Sequence, residues 1–228
     1  MPATSNLYVR AWRGLVFLAV TMALLLFVPA RTVYFWQAWL YLGVFFGASV
    51  LVTRYLAQHD PALLRRRLRG GPMAEKEPTQ KIIMSFTMIG FIALLIVPAL
   101  DHRFMWSRVP VLLVIGGDVL VALGFYIVFL VYRENTFSSA TIEIAENHHV
   151  VSSGPYAIVR HPMYVGGLLL FAGTPLALGS YWGLLTVAVF LPALIWRLFD
   201  EERFLARNLP GYAEYCTRVR WRMIPGAF

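Results

Sequence analysis

Four long, predominantly apolar runs, at residues 11–29, 35–57, 82–100 and 111–132, constrain this chain more than any other feature. A helix that crosses the ~30 Å hydrocarbon core of a bilayer needs roughly 20 apolar residues, because its backbone must satisfy its own polar groups there. Each run meets that length. The apolar residues come in blocks and do not alternate with polar ones. Two shorter apolar segments, 163–178 and 181–198, flank a Gly179-Ser180 turn and read as a helical hairpin. The expected fold is all-α. It is a polytopic membrane helix bundle of about six transmembrane segments, followed by a cytosolic C-terminal amphipathic helix in residues 199–218. Composition agrees, since 59% of residues are hydrophobic and 14% charged, against about half and a quarter in a soluble domain. At 228 residues one structural unit is expected. It divides into an N-terminal four-helix transmembrane region, 1–132, and a region, 133–228, that gathers the chemistry. The first run has a basic flank but no small-residue cleavage site, so it reads as a retained anchor helix.

The net charge of +8 raises the question of nucleic acid. The basic residues flank apolar runs, and no basic helix is interleaved with base-stacking aromatics, so no nucleic-acid partner is expected. Topology explains the charge better. With the N-terminus cytoplasmic, 17 of the 20 Lys and Arg residues fall on the inner side and three, Arg31, Arg103 and Arg108, on the outer side. That asymmetry puts both termini in the cytoplasm. The Arg65–Arg69 run reads as a solvated loop facing lipid headgroups. Trp36, Trp39, Trp106 and Trp182 read as interfacial belt residues.

The single cysteine, Cys216, excludes an intramolecular disulfide and reads as incidental. His148 and His149 are adjacent, which makes joint ligation of one metal difficult, and no cysteine is near, so no metal site is expected. The densest polar cluster reads Gly154-Pro-Tyr-Ala-Ile-Val-Arg-His-Pro-Met-Tyr-Val-Gly-Gly167 and ends where the fifth apolar segment begins. Pro162 suits the first turn of a helix, where its missing N–H costs nothing. Arg160 and His161 then stand at the mouth of that helix and Tyr164 lies one turn in. Free N–H groups and a partial positive charge make such a place suitable for a carboxylate. A second cluster, Arg197-Leu-Phe-Asp-Glu-Glu-Arg203, closes the sixth segment. Arg197 and Glu201 share one helix face. Ionisable groups at the membrane boundary are costly unless satisfied, which makes them functional candidates. Each residue also has a plainer reading. Arg197 can snorkel to headgroups with Glu201 as its partner, and His161 can cap a helix. The hairpin should bring the two clusters together at its inner end.

The order and spacing of several motifs in residues 148–225 resemble the isoprenylcysteine carboxyl methyltransferase and phospholipid methyltransferase superfamily. The matching elements are Val-Val-Ser-Ser-Gly-Pro-Tyr, Val-Arg-His-Pro-Met-Tyr-Val-Gly, the Arg-x-x-x-Glu-Glu helix, Leu-Pro-Gly-Tyr-Ala-Glu-Tyr and Arg-Trp-Arg-Met-Ile-Pro. The first half of the chain resembles the family only in being hydrophobic. The resemblance implies S-adenosylmethionine as cofactor and methyl transfer to a lipophilic acceptor (a carboxylate, thiol or amine) at the cytosolic membrane face. It implies that His148, His149, Val150 and Val151 line the adenosine end and that Tyr156 packs against the cofactor. His161, Pro162, Met163 and Tyr164 would hold the methionine end. Glu201 would face the amino group or sulfonium, and Arg197 would contact the acceptor. The family's polar residue before the histidine has three candidates here, Glu143, Glu146 and Asn147. Two other classes compete. Membrane reductases that use NADPH on steroid-like or enone lipids carry a related His-Pro-x-Tyr element. A non-catalytic scaffold or transporter subunit is disfavoured because the polar residues gather at one membrane face and do not line a path across the midplane.

Overall fold

A computed structural model describes residues 2–68, 78–138 and 149–228. These form an all-helical bundle, with no strand among the described residues. Five helices are long and apolar enough to cross a membrane. They are α1 (Pro2–Ala30), α2 (Trp36–His59), α4 (Pro78–Phe104), α5 (Val111–Glu134) and α7 (Trp182–Asn208), with α3 (Pro61–Arg67) a short helix between α2 and α4. The remaining apolar helix, α6 (Pro162–Ala177), has 16 residues. At 1.5 Å per residue it spans about 24 Å, less than the hydrocarbon thickness. The expected six segments are thus five long helices and one short one.

The ends of these helices follow from local chemistry. Asp60 accepts a hydrogen bond from the Leu63 backbone N–H at 2.9 Å and Pro61 follows, so α3 begins with a cap and a proline that needs no partner. Gly179 turns the chain between α6 and α7 with φ of 71°, a conformation glycine adopts without strain. At this end of the bundle Asp101 of α4 is buried. It accepts from the Ser107 N–H and Oγ, each at 2.6 Å, and from the Ser180 hydroxyl. Ser180 in turn accepts from the Gly183 N–H at 3.0 Å. One carboxylate therefore ties α4 to the α6–α7 turn.

The charged segment after residue 198 is partly a continuation of α7. Pro192 lies within α7, but no proline or glycine occurs between residue 198 and Pro210, so α7 continues to Asn208 and carries Asp200–Arg207 beyond the apolar stretch. Gly211, with φ of 81°, then turns the chain into α8 (Tyr212–Arg218). Helices α5 and α6 pack backbone to backbone: a Cβ at Gly117 would stand 2.2 Å from Ala177 N, and one at Gly124 2.7 Å from Gly166 O. Helix α7 lies against α4, where the Phe190 ring fills the space above Gly90. The buried core joins α1, α2, α4, α5 and α6 through Met22, Leu26, Tyr41, Leu95, Val121 and Ala177. Large apolar side chains such as Phe17, Leu51, Leu112 and Val189 face outward, the distribution of a protein whose solvent is lipid. Trp36, Trp106 and Trp182 are exposed near the helix ends on the same side of the bundle as Asp101.

Candidate active site

Helix α6 starts at Pro162, with His161 in the N-cap position. The His161 side chain does not cap the helix. Its Nε2 lies 3.2 Å from Glu202 Oε1 on α7. Glu202 also pairs with Arg160 at 3.2 Å and accepts from Arg222 Nε at 2.9 Å. Backbone bonds reinforce this junction, since the N–H groups of Arg160 and His161 donate to the carbonyls of Trp221 and Arg222, each at 2.9 Å. Glu202 is therefore a hub joining the mouth of α6, the C-terminal part of α7 and the segment after α8. Burial makes such a carboxylate costly without its cations and the cations costly without it.

One turn into α6, the Tyr164 hydroxyl donates to Glu201 Oε2 at 2.6 Å. The Tyr164 phenol is close enough to both Glu201 and Arg197 to feel their opposite charges. Arg197 Nη1 donates to Gln80 Oε1 at 2.8 Å, and the Gln80 amide donates to Asp200. Gln80 comes from α4 and is buried, so the N-terminal half of the chain contributes to the arrangement of Arg197. On the other side of the site, Asn135 donates to the Tyr156 hydroxyl at 3.0 Å and the Tyr215 hydroxyl donates to the Tyr156 carbonyl at 2.7 Å. The 3-10 turn Gly154–Ala157 is held by these contacts to α5 and α8. Burial pushes the Tyr156 phenol up to about 12, with the Glu201 charge adding to the rise against the Asn135 hydrogen bond. Burial likewise raises Tyr212 and Tyr215. These walls present neutral phenols at any physiological pH.

All these elements enclose one cavity of about 530 Å³, within the ~300–1,000 Å³ typical of small-molecule sites. At the mouth of α6 it is lined by His149, Val150, Val151, Tyr156, His161 and Tyr212. Its other arm runs into the bundle between apolar walls that include Phe45, Phe91, Phe125, Leu170 and Leu194. Pro162, Met163, Tyr164, Arg197 and Glu201 also line it. Ten of the eleven residues singled out from the sequence thus border one space. The eleventh, His148, lies outside the described residues, as do Glu143, Glu146, Asn147 and the Thr141–Ile144 stretch.

Sequence reasoning missed three contributors. Glu202 was overshadowed by its neighbour Glu201. Gln80 gave no signal, being one polar residue before an apolar run. Arg67 belonged to a run read as a solvated loop. It lines the cavity, and its guanidinium stands 5.1 Å over the Tyr132 ring. The Asp60-Pro61 pair signals a helix start and could have placed the arginines on α3. Among the described residues no group of three or more His, Cys, Asp or Glu side chains is placed to hold a metal ion.

Comparison with known proteins converges on the same region. The family model described as phospholipid methyltransferase matches residues 112–210. A probable protein-S-isoprenylcysteine O-methyltransferase of Oryza sativa subsp. indica is 31% identical over 146 residues, 60% of this chain and 72% of that protein. The cobalt-zinc-cadmium resistance protein CzcN of Cupriavidus metallidurans is 36% identical over 109 residues, 45% of this chain. That match spans 48% of CzcN, about half its length. The Delta(14)-sterol reductase TM7SF2 of Mus musculus is 33% identical over 88 residues, 37% of this chain and 21% of that protein. With the helices of a membrane bundle and this pattern of similarity together, the chain belongs to the isoprenylcysteine carboxyl methyltransferase and phospholipid methyltransferase superfamily of integral membrane proteins.

Proposed function

We propose that this protein transfers a methyl group from S-adenosylmethionine to a lipophilic acceptor at the cytosolic membrane face, with both termini in the cytoplasm. The observation that carries this reading is the continuity of one cavity. A polar inner pocket opens into an apolar arm, and Arg197 and Glu201 stand at the junction. The residues present fit the cofactor. Aromatic and aliphatic walls at Tyr156, Val150 and Val151 suit a nucleoside, and the Glu201 carboxylate suits a cationic amino acid end. When bound, S-adenosylmethionine supplies an electrophilic methyl group activated by its sulfonium.

The protein's part is positioning and exclusion of water. His149 to Val151 and Tyr156 hold the nucleoside end, and His161, Pro162, Met163 and Tyr164 hold the methionine end. Tyr164 fixes the Glu201 carboxylate through its 2.6 Å hydrogen bond, so that charge is oriented before any ligand arrives. Gln80 fixes Arg197 in the same way. Arg197 then meets a polar or anionic acceptor head at the mouth of the apolar arm. A carboxylate or thiolate acceptor attacks without a strong base, which accords with the neutral phenols around the site. Residues 133–228 form the cofactor-binding and catalytic region, and 1–132 supply α3, α4 and the bundle wall. The partners are a lipophilic or lipidated acceptor and membrane lipids.

A second reading has one specific observation in its favour, the match to a Delta(14)-sterol reductase. Under it the same cavity binds NADPH and reduces a steroid-like or enone lipid. Thermal stability of the purified protein with S-adenosylmethionine, S-adenosylhomocysteine and NADPH in parallel decides between them, because a ligand of the folded state must raise its stability. Stabilisation by the first two is expected. Stabilisation by NADPH alone refutes the methyl-transfer reading.

A further inference from the structure

Helix α5 carries an acidic residue inside its membrane-spanning stretch. Asp118 is 5% exposed, and neither of its carboxylate oxygens has a hydrogen-bond partner among the described residues. An uncompensated charge in an apolar bundle is costly, and an ionisable group in such a place is a candidate for function. Helix geometry shows what it faces. Val114, Val121 and Phe125 share its side of α5 at three- and four-residue spacing, and the Phe125 ring centre lies 5.0 Å from that of Phe45 on α2. Successive spans reverse direction, so α2 and α5, with α4 as the one spanning helix between them in sequence, run parallel. Asp118, seven residues before Phe125, is therefore level with Ala38, seven before Phe45, between Gln37 and Tyr41. The Tyr41 phenol is indeed close enough to Asp118 to feel its charge. It is held by Thr174 Oγ1 at 3.2 Å, and no hydrogen bond joins it to Asp118. Gln37, one turn before Tyr41 on the same face of α2, has a buried Oε1 that also lacks a partner. Its side chain sits under the α6–α7 turn, where a Cβ at Gly179 would stand 3.4 Å from Gln37 Nε2.

The helices packed around this level supply no counter-charge. Helix α6 has no basic residue, Arg133 stands at the far end of α5, and Arg54 and His59 lie more than four turns along α2 from Gln37. Helix α1 brings Met22, Leu26 and Ala30. Arg31 is exposed, and His102 of α4 stacks on Phe35 with ring centres 4.0 Å apart. What is left is a set of oxygen acceptors on two helices and no donor between them, and oxygen ligands suit a hard cation.

We propose that Asp118, Gln37 and Tyr41 form a site for one monovalent alkali cation between α2 and α5. A single positive charge neutralises the single carboxylate, whereas a divalent ion leaves an excess charge in the bundle. One cation also serves both carboxylate oxygens and the amide oxygen together, which a proton on Asp118 does not. Entry is from the end of the bundle that carries Asp101, since Gln37 is the second residue of α2 and lies beside the α6–α7 turn. The bound ion ties α2 to α5. The proposal is independent of the methyl-transfer reading.

The test follows the melting temperature of the full chain in detergent as sodium chloride replaces choline chloride at fixed ionic strength, so that general screening is constant. A ligand of the folded state raises stability in a saturable way. Wild type should gain several degrees and reach a plateau. Asp118→Asn should lose the response, yet melt no lower than wild type in choline, because the charge it deletes was uncompensated. Gln37→Leu should respond with an apparent sodium affinity roughly ten-fold weaker. A wild type that melts alike in sodium and choline overturns the proposal, as does an Asp118→Asn or Gln37→Leu titration equal to wild type. A wild type that ignores sodium but is stabilised on acidification, with that gain lost in Asp118→Asn, assigns a proton to the site and overturns it too. If Asp118→Asn fails to fold, the Gln37→Leu titration decides by itself.

Discussion

Adjacent glycines on α5 offer a direct test of how the bundle is held. A Cβ at Gly116 would meet nothing within 4 Å, whereas one at Gly117 would stand 2.2 Å from Ala177 N, 2.7 Å from Leu176 C and 2.8 Å from Gly173 O. Gly116→Ala gains helix propensity worth up to about 1 kcal/mol and loses nothing. Gly117→Ala gains the same but must open the α5–α6 seam, because the atoms it meets are backbone and cannot rotate aside. Restoring ordinary contact at 3.4 Å from 2.2 Å requires a shift of about 1 Å. A gap of that size forfeits roughly a quarter to a half of each dispersion contact it opens. The seam continues through Gly124, Gly166 and Gly173, so many contacts are affected together. Overpacking of this kind costs about 1–3 kcal/mol or more, which leaves Gly117→Ala about 0–2 kcal/mol less stable than wild type after the propensity gain and about 1–3 kcal/mol less stable than Gly116→Ala. Reversible unfolding in detergent micelles, followed by circular dichroism, measures both variants against wild type. The reasoning is wrong if Gly117→Ala is as stable as Gly116→Ala.

Four further outcomes are expected. Tyr164→Phe removes a hydrogen bond to a charged group, worth about 1.5–3 kcal/mol, and should weaken S-adenosylhomocysteine binding by roughly ten- to a hundred-fold by calorimetry. Arg197→Ala should abolish incorporation of radiolabelled methyl into lipophilic acceptors while S-adenosylhomocysteine affinity stays near wild type. Wild-type turnover in that variant removes Arg197 from the mechanism. Glu202→Ala leaves Arg160 buried beside no counter-charge, so a loss of about 3 kcal/mol in unfolding free energy is expected. Asp101→Ala strips three donors of their acceptor beside the α6–α7 turn and should lower the melting temperature, yet the affinity for S-adenosylhomocysteine should not move, since this carboxylate is at the opposite end of the bundle.

Hydrophobic run length was enough to read the helices, because bilayer thickness sets a length that the sequence must meet. It bounded α6 as well, because Pro162 marks its first turn and the Gly179-Ser180 turn its end. The site was legible where chemistry-bearing residues are crowded along the chain, as in Arg160-His161-Pro162-Met163-Tyr164. It was illegible where one residue from a distant helix completes it. Gln80 precedes Arg197 by 117 positions, and no local pattern marks it. Glu201 and Glu202 show another limit. They are adjacent in sequence, but about 100° apart around the helix, and so serve different partners: Tyr164 for one, Arg160, His161 and Arg222 for the other. Helical periodicity separates their directions; it does not say which direction holds the structure and which faces the cavity.

Helix α7 is clamped beside Asp101 at its N-terminal end, through Ser180, and carries Glu201 near its C-terminal end, 19 residues after Trp182. That makes it a lever of about 29 Å. Tilting it by about 3° about the clamp swings the Glu201 carboxylate by about 1.5 Å, a displacement on the scale that costs an enzyme orders of magnitude in rate. Lipid thickness changes the tilt of spanning helices, so turnover measured in bilayers of graded acyl length should have an optimum, even with donor and acceptor saturating.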